Sequence, residues 1–191
     1  MICDTIMHMK LYQGSPENMD GREEREVRTY EFLDSLHIAY ERTDHPDMPA
    51  SSMEICAQVD QILGVRICKN LFLCNHQETE FWLLVMPGDK PFLTKEFSKK
   101  VGSSRLSFAK EIYMEKYLDL HAGSVSILGL MNDKDHKVKL AVDEDLLKEE
   151  MFGCHPCVNT SSLRFRTADL INIIIPAMGI EPVYVKLTGE R

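Results

Sequence analysis

Two short segments, far apart in the chain, hold most of the residue types that could do chemistry. In the first, Lys69 and Asn70 open the apolar run Leu71-Phe72-Leu73-Cys74, where a strand entering a core ordinarily carries nothing that needs solvation. A lysine there either snorkels its ammonium to water from a rim or aims a cation into a pocket, where it could neutralise a phosphate as a point charge. The second segment is Gly153-Cys154-His155-Pro156-Cys157-Val158-Asn159. It reads as the opposite wall of such a pocket: Gly153 lets the backbone approach a ligand carbonyl closely, and Asn159, like Asn70, offers an amide donor.

Each of these residues also has a plainer reading. Cys154 and Cys157 have the spacing of a thiol–disulfide site, but such motifs open a helix. Val158-Asn159-Thr160-Ser161-Ser162 reads as a turn, so two small thiols flanking a bend are the better account. Zinc needs four ligands, or three and an open position, and a second pair with this spacing is missing. Cys68 and Cys74 fall on one side of a single strand, as core packing requires. No nucleophile elbow, phosphate loop, dinucleotide fingerprint or H-E-x-x-H is present. Ser124 and Ser126 read as solvated or backbone-capping hydroxyls. His155, beside a proline in a tight turn, reads as a scaffold histidine as readily as a general base, and His45 in Asp44-His45-Pro46 as a structural or substrate-contacting residue. Asp133 reads as closing a turn.

The chain has 191 residues, 44% of them hydrophobic, enough for one good core. Its formal net charge of -8 argues against a protein that holds nucleic acid chiefly by bulk electrostatics, and so against a DNA partner, while leaving room for a local basic patch. The six cysteines lie mostly in apolar or strand-like contexts and read as reduced thiols of a cytoplasmic protein. No stretch approaches the roughly 18 apolar residues that span a bilayer, and Met1–Gly21 lacks the continuous apolar segment of a secretory signal. These first 21 residues read as a loosely held leader, followed by one domain over 22–191.

Periodicity supplies the elements that position the two segments. Arg22–Leu36 is a charged helix with Val27, Tyr30 and Leu33 on one stripe, and Ile38–Arg42 alternates like an edge strand. Ser51 and Glu54 form a capping box for a helix ending at Gly64. Lys69–Cys74 and Glu80–Met86 predict a hairpin closed off by Pro87-Gly88-Asp89. Thr94 is expected to cap a helix through Lys100, and Leu106–Phe108 is a brief strand. A helix over 110–118 is expected to turn Ile112, Tyr113 and Tyr117 inward. Ser124–Leu130 and Lys137–Val142 predict a second hairpin about Asn132–His136. A short acidic helix over 143–150 precedes the Gly153 segment. Leu163–Arg166 predicts a strand, Thr167 the cap of a helix with Leu170, Ile173 and Ile174 inside, and Val183–Leu187 a closing strand. Hairpins mixed with separate helices indicate a mixed α/β (α+β) domain rather than regular βαβ alternation.

Six of these pieces in register carry a resemblance. Asp44-His45-Pro46 before a capped helix, Cys68-Lys69-Asn70-Leu71-Phe72-Leu73, Pro87-Gly88-Asp89-Lys90-Pro91, Arg105-Leu106-Ser107-Phe108-Ala109, Gly123 to Asp133, and the Gly153–Asn159 segment resemble the YbaK-like aminoacyl-tRNA editing family. The likeness spans about Val27–Leu187. It falls within the free-standing ProX-type members, related to the editing insertion of bacterial prolyl-tRNA synthetase.

The resemblance implies a single compact domain on a curved, mainly antiparallel sheet with flanking helices. It also implies a trans-editing hydrolase that removes a wrong amino acid from tRNA, alanine from proline tRNA being the ProX-type substrate. The partners implied are the tRNA acceptor end and prolyl-tRNA synthetase, with no membrane, cofactor or metal. The family lysine maps onto Lys69, meeting the terminal phosphate or sugar, with His155 beside it as the other candidate for the chemistry. Asn70, His45, Ser126, Gly129, Asp133, Gly153, Pro156 and Asn159 fall on the substrate-holding neighbourhoods. An aminoacyl ester is already activated, so the expected catalyst orients it and places a water, with the neighbouring ribose hydroxyl of the substrate assisting. Many relatives carry proline where Ile127 stands, which bears on the amino-acid preference. Two other classes fit the same residues: a non-catalytic binder of aminoacyl-tRNA or a small ligand, and a thiol oxidoreductase using Cys154 and Cys157.

Overall fold

The structure is a computed structural model that describes residues 9–45 and 53–190. The longest apolar runs of the chain lie side by side at its centre. β3 (Lys69–Asn75) and β4 (Phe81–Met86) form the expected antiparallel hairpin, with Lys69 opposite Met86 and Cys74 opposite Phe81. All six β4 residues are buried, because both faces of this hairpin are covered. Phe72, Phe81, Leu83 and Val85 enter the main core. Leu73, Trp82, Leu84 and Met86 enter a smaller one on the other face. There they are capped by Phe97 of α3 (Thr94–Lys100), edge-on to Trp82 with ring centroids 5.9 Å apart. Full burial of one such side chain stabilises by about 1.5–3 kcal/mol.

Two further strands join β4 in a way the sequence pattern did not suggest. β6 (Val138–Asp143) lies parallel to β4, and β9 (Val183–Val185) parallel to β6. With β5 (Leu106–Phe108) beside β3, the sheet order is β5-β3-β4-β6-β9. The second hairpin is therefore not formed. Ile127–Asn132 is instead a 3₁₀ turn buried on all sides, because Ser126 caps it through Leu128 N (3.2 Å) and Gly129 presses on Leu120. A side chain on Gly129 would meet Leu120 Cδ1 at 2.5 Å.

A second sheet, order β1-β2-β8-β7, packs across the main core. It comprises β1 (Tyr12–Gln13), β2 (Tyr40–Asp44), β7 (Met151–Cys154) and β8 (Ser161–Arg166), all antiparallel. β2 is thus an interior strand rather than an edge. Part of the segment expected to be loosely held is pinned: Tyr12 and Gln13 pair with Arg42 and Glu41, and Arg42 Nη1 donates to Gly14 O at 2.6 Å. Residues 1–8 of that segment lie outside the described residues, as does Ser51 of the expected capping box.

The helices follow the charge and apolar patterns with local differences. α1 (Glu24–Ser35) buries Tyr30 and Leu33, and α2 runs Met53–Leu63. α4 (Glu111–Leu118) turns Met114 and Leu118 inward and leaves Ile112 65% exposed, while Tyr113 and Tyr117 pack against the core. Thr94 and Thr167 are first helical residues, not caps; Leu93 and Arg166 hold the cap positions without side-chain bonds. The expected acidic helix is a 3₁₀ turn, Glu144–Lys148. The last helical stretch passes from α5 (Thr167–Asp169) through a π turn (Leu170–Ile174) to α6 (Ile175–Ala177). The wider turn brings Ile174 and Ile175 into the core and leaves Ile173 outside. The result is a mixed α/β domain with two sheets, five of whose seven strand pairings are antiparallel.

Candidate functional site

The two sequence segments meet across one residue, Ile67. Its backbone forms a parallel bridge with Gly153, and Cys68 N donates to Gly153 O at 3.0 Å. On its other side a side chain on Gly88 would meet Ile67 O at 2.4 Å, so the Pro87–Pro91 loop can pack there only with glycine at that position. Gly153 is nearly as confined, with Val65 Cγ1 and Arg66 O at 3.1 and 3.2 Å from where a side chain would begin. Between these walls lies a groove of about 990 Å³, lined by Gly64, Arg66 and Cys68, by Pro87–Pro91 and by Glu149–Gly153.

Lys69 is not itself part of the groove lining but meets its loop wall through Lys90. β3 alternation sends its side chain to the face shared with Leu71 and Leu73. Its ammonium donates to Lys90 O at 2.9 Å. Among the described residues it makes no direct ion pair; the nearby Asp89 carboxylate, itself paired with Arg66, feels its charge through space. Lys90 behaves oppositely. Its ammonium lies 2.6 Å from Asp143 and from Asp145 and donates to Leu187 O at 2.8 Å. Burial would lower its pKa, but the two carboxylates raise it above the ordinary lysine value. Asp143 is fully buried. The loop carrying the Lys69 acceptor is therefore anchored to the end of β6.

Asn70 and Cys68 point to the other face of β3. The Asn70 amide nitrogen has only the Cys68 sulfur as partner, at 3.4 Å, and its buried oxygen has none among the described residues. Such an unsatisfied amide is costly unless a ligand or water completes it.

His155 sits in a buried polar network. Its Nδ1 lies 3.1 Å from Ser161 O, so this nitrogen carries the proton and donates, leaving Nε2 as the acceptor. Ser162 Oγ bridges it to His45, at 3.4 Å from His155 Nδ1 and 3.0 Å from His45 Nε2. Burial, with a further contribution from His45 against the bond to Ser161, lowers the His155 pKa to about 4. Ser126 donates to His155 O at 2.6 Å, fixing the bend from below. Pro156 is buried within the bend, and Asn159 at its end lies next to Gly123. Asp44 receives Arg22 Nη2 at 2.7 Å, Arg42 Nε at 3.1 Å and Ser161 Oγ at 3.0 Å. Burial alone would raise its carboxyl, and the two arginines hold it below its ordinary value.

Of the candidates read from the sequence, Gly153 alone is among the residues that line the groove; His155, Ser126 and His45 lie in the buried network beside it, and two others fall farther away. Gly129 is a packing residue under Leu120. Asp133 closes its turn by accepting from Val138 N at 2.7 Å and lines a separate hollow of about 470 Å³ with Arg28 and Met178. The sequence reading missed Lys90 and Ser162. Lys90 was visible within Pro87-Gly88-Asp89-Lys90-Pro91 but gave no sign of its buried carboxylate partner. Ser162 carries no local signal at all.

Thiol chemistry has no support in this geometry. Cys154 and Cys157 are fully buried free thiols. Burial pushes Cys157, like Cys68, up to about 12 and Cys154 well above its ordinary value, the reverse of an activated thiolate. What remains is a groove whose walls carry Asp89, Asp145, Glu149 and Glu150 beside Arg66, Lys90 and Lys148, with no activated thiol.

Residues 47–173 match the family model described as the aminoacyl-tRNA editing domain, and the chain belongs to that family. It is 32% identical over 142 residues to the prolyl-tRNA editing protein ProX of Acetoanaerobium sticklandii, covering 74% of this chain and 85% of that protein. It is 29% identical over 146 residues to prolyl-tRNA synthetase associated domain-containing protein 1 of Danio rerio, covering 75% and 78%. A solved structure named as a candidate trans-editing enzyme for prolyl-tRNA synthetase superposes with a TM-score of 0.63 at 16% identity, over 87% of this chain and 99% of that one, a likeness of fold. Among the described residues no helix is long and apolar enough to cross a membrane.

Proposed function

We propose that the protein is a trans-editing deacylase that hydrolyses mischarged tRNA, with alanyl-tRNA(Pro) as its substrate, in the groove between Lys69 and Gly153. Family membership and the likeness to a ProX prolyl-tRNA editing protein support the reaction class. The observation that carries the site is the Lys69 ammonium, which donates to Lys90 O and makes no direct ion pair among the described residues, the Asp89 carboxylate that feels its charge being paired with Arg66. Two of its three donors remain for the terminal phosphate or sugar of the RNA.

The chemistry follows from what the residues cannot do. The Ser126 hydroxyl is committed to His155 O, the thiols are held protonated, and His155 is too weak a base at about 4 to deprotonate water at neutral pH. In this reading the ester supplies its own assistance, as membership of the editing family implies. Water attacks the acyl carbon, the ribose hydroxyl next to the ester orients that water, and its proton passes to the departing ribose oxygen as the acyl–oxygen bond breaks. Lys69 anchors the nucleotide, the Gly153 bend approaches the carbonyl, and Asn70 and Asn159 offer amide donors. The His155 Nε2 lone pair serves as a hydrogen-bond acceptor. A pocket sized for alanine excludes proline by steric clash, a sharper filter than the roughly 1–3 kcal/mol of one methylene.

Deacylation of tRNA(Pro) carrying alanine, cysteine or proline tests the reading, with Lys69→Ala beside the wild type. Alanine should be removed fastest, and the variant should lose about 100-fold or more in kcat/KM, the order of one lost charge-assisted contact in a desolvated site. Equal rates for the two proteins would remove Lys69 from the mechanism. Tight binding without turnover of any substrate would make the protein a binder.

A further inference from the structure

We infer that the exposed basic face of α3 and the turn after it, Lys95, Lys99, Lys100 and Arg105, is the surface on which the backbone of the tRNA acceptor stem docks. The inference rests on the editing reading and extends it from the acyl end to the RNA body. The chain carries a net charge of -8, yet residues 95–105 hold four cations against one acid. All four cations are exposed and make no ion pair among the described residues. That one acid, Glu96, is turned to the C-terminal segment, accepting from Thr188 N at 2.7 Å and Gly189 N at 3.2 Å. It meets Lys100 only through space and leaves all four cations without a direct ion pair among the described residues.

Helix stability does not explain this arrangement. Lys99 and Lys100 lie in the last turn, where a positive charge suits the helix dipole, but Lys95 lies in the first, where it does not. Lys95 and Lys99 are moreover like charges four residues apart on one face, which disfavours the helix. The position does have an explanation in the site. Lys90, whose carbonyl holds the Lys69 ammonium, is followed by Pro91-Phe92-Leu93 and then α3. The helix covers the same sheet face onto which Lys69 projects, since Phe97 packs on Trp82 there. Phe108, on the adjacent edge strand, is 64% exposed, with its ring 6.1 Å from that of Phe92. Such a ring beside cations suits an unpaired base more than an acidic protein surface.

The test is binding of an unacylated acceptor-stem minihelix with its single-stranded 3′ end, measured by fluorescence anisotropy between 50 and 200 mM salt. The proteins compared are the wild type, the triple variant Lys95→Gln/Lys99→Gln/Lys100→Gln, and the triple arginine variant at the same positions. The glutamine variant should bind about tenfold or more weakly at low salt, and its slope of log affinity against log salt should fall by about one for each lysine that meets a phosphate. The arginine variant should retain both, and thermal melts of all three should coincide. Unchanged affinity and slope in the glutamine variant would overturn the inference. So would unchanged RNA binding together with lost association with prolyl-tRNA synthetase, which would assign the patch to a protein. Because the RNA is unacylated, the reading stands or falls apart from editing itself: a wild type that deacylates while the glutamine variant binds normally sinks only this inference, and a wild type without deacylation but with lysine-dependent binding sinks only the proposed reaction.

Discussion

The Gly153–Asn159 bend and the Pro87–Pro91 loop both pack on Ile67, yet they are built from different materials. The bend is buried, and His155, Ser126, Ser162 and His45 hold one another in a network of largely satisfied hydrogen bonds. The loop side is charged: Lys90 is clamped by Asp143 and Asp145, while Lys69 above it donates to a carbonyl and meets Asp89, itself paired with Arg66, only through space. The bend therefore fixes a shape, and the loop side presents a charge. A deacylase needs both, because orienting an ester demands a rigid wall and gripping a nucleic acid demands an unspent cation.

The contrast is most exposed to attack at the anchor of the charged side. Asp143→Ala should destabilise the protein by about 3–5 kcal/mol in urea melts, since it leaves the buried Lys90 ammonium with a partly exposed partner only and removes the bond to Asp145 N. A loss below about 1 kcal/mol would mean that Asp145 alone holds Lys90. The next effect belongs to the bend and depends on pH. In the unfolded chain His155 takes up a proton as pH falls through its ordinary value of 6.5, whereas the folded protein resists until about 4. The unfolded state is thus progressively favoured across that window, by on the order of 3 kcal/mol at its lower end, and no further below it. Urea melts of wild type and His155→Gln at several pH values read this directly. The variant should lose the part of the pH slope lying between 6.5 and 4, and parallel curves would refute the neutral, buried histidine.

How much of this contrast could be read in the sequence differs between the two sides. The β3–β4 hairpin was legible because two dense apolar runs flank a polar loop. The same density hid the face on which Lys69 lies, since both faces of β3 are apolar and alternation gives no polarity cue. The parallel placement of β6 was not legible. Val138–Asp143 reads equally well as the return strand of a hairpin, and what excludes its partner is the tertiary fit of Gly129 under Leu120. Ile112 and Ile173 were misplaced for local reasons: an eight-residue helix offers a weak stripe, and a π turn shifts the period. In the site, the Lys69 and Gly153 segments were recognisable by residue type. The Lys90–Asp143 pair and the Ser162 bridge join residues 53 and 117 or fewer positions apart only through the fold.

Within the bend, Ser126→Ala removes both the donor to His155 O and the cap on Leu128 N. A loss of about 1–3 kcal/mol is expected, because a buried carbonyl is left without its partner. If the bend also shapes the acyl pocket, KM for the mischarged tRNA should rise while binding of an unacylated acceptor stem is unmoved, and a fall in stem binding would instead place Ser126 on the RNA-gripping side.

The smallest expected change in stability is the sharpest test of the comparison. Lys69→Met keeps the aliphatic stem against Leu71 and the loop and removes only the ammonium. That group is half-buried and makes no direct ion pair among the described residues, so the folded state loses one hydrogen bond to Lys90 O and a through-space attraction to Asp89, and is relieved of a partly desolvated charge. The two nearly cancel, and the melting free energy should change by less than about 0.5 kcal/mol while editing falls about 100-fold. A side chain whose removal leaves the fold intact but disables the reaction is one the structure holds for a ligand. A melting loss of 2 kcal/mol or more would instead make Lys69 a strut between β3 and the loop, and the charged side would then fix shape just as the bend does.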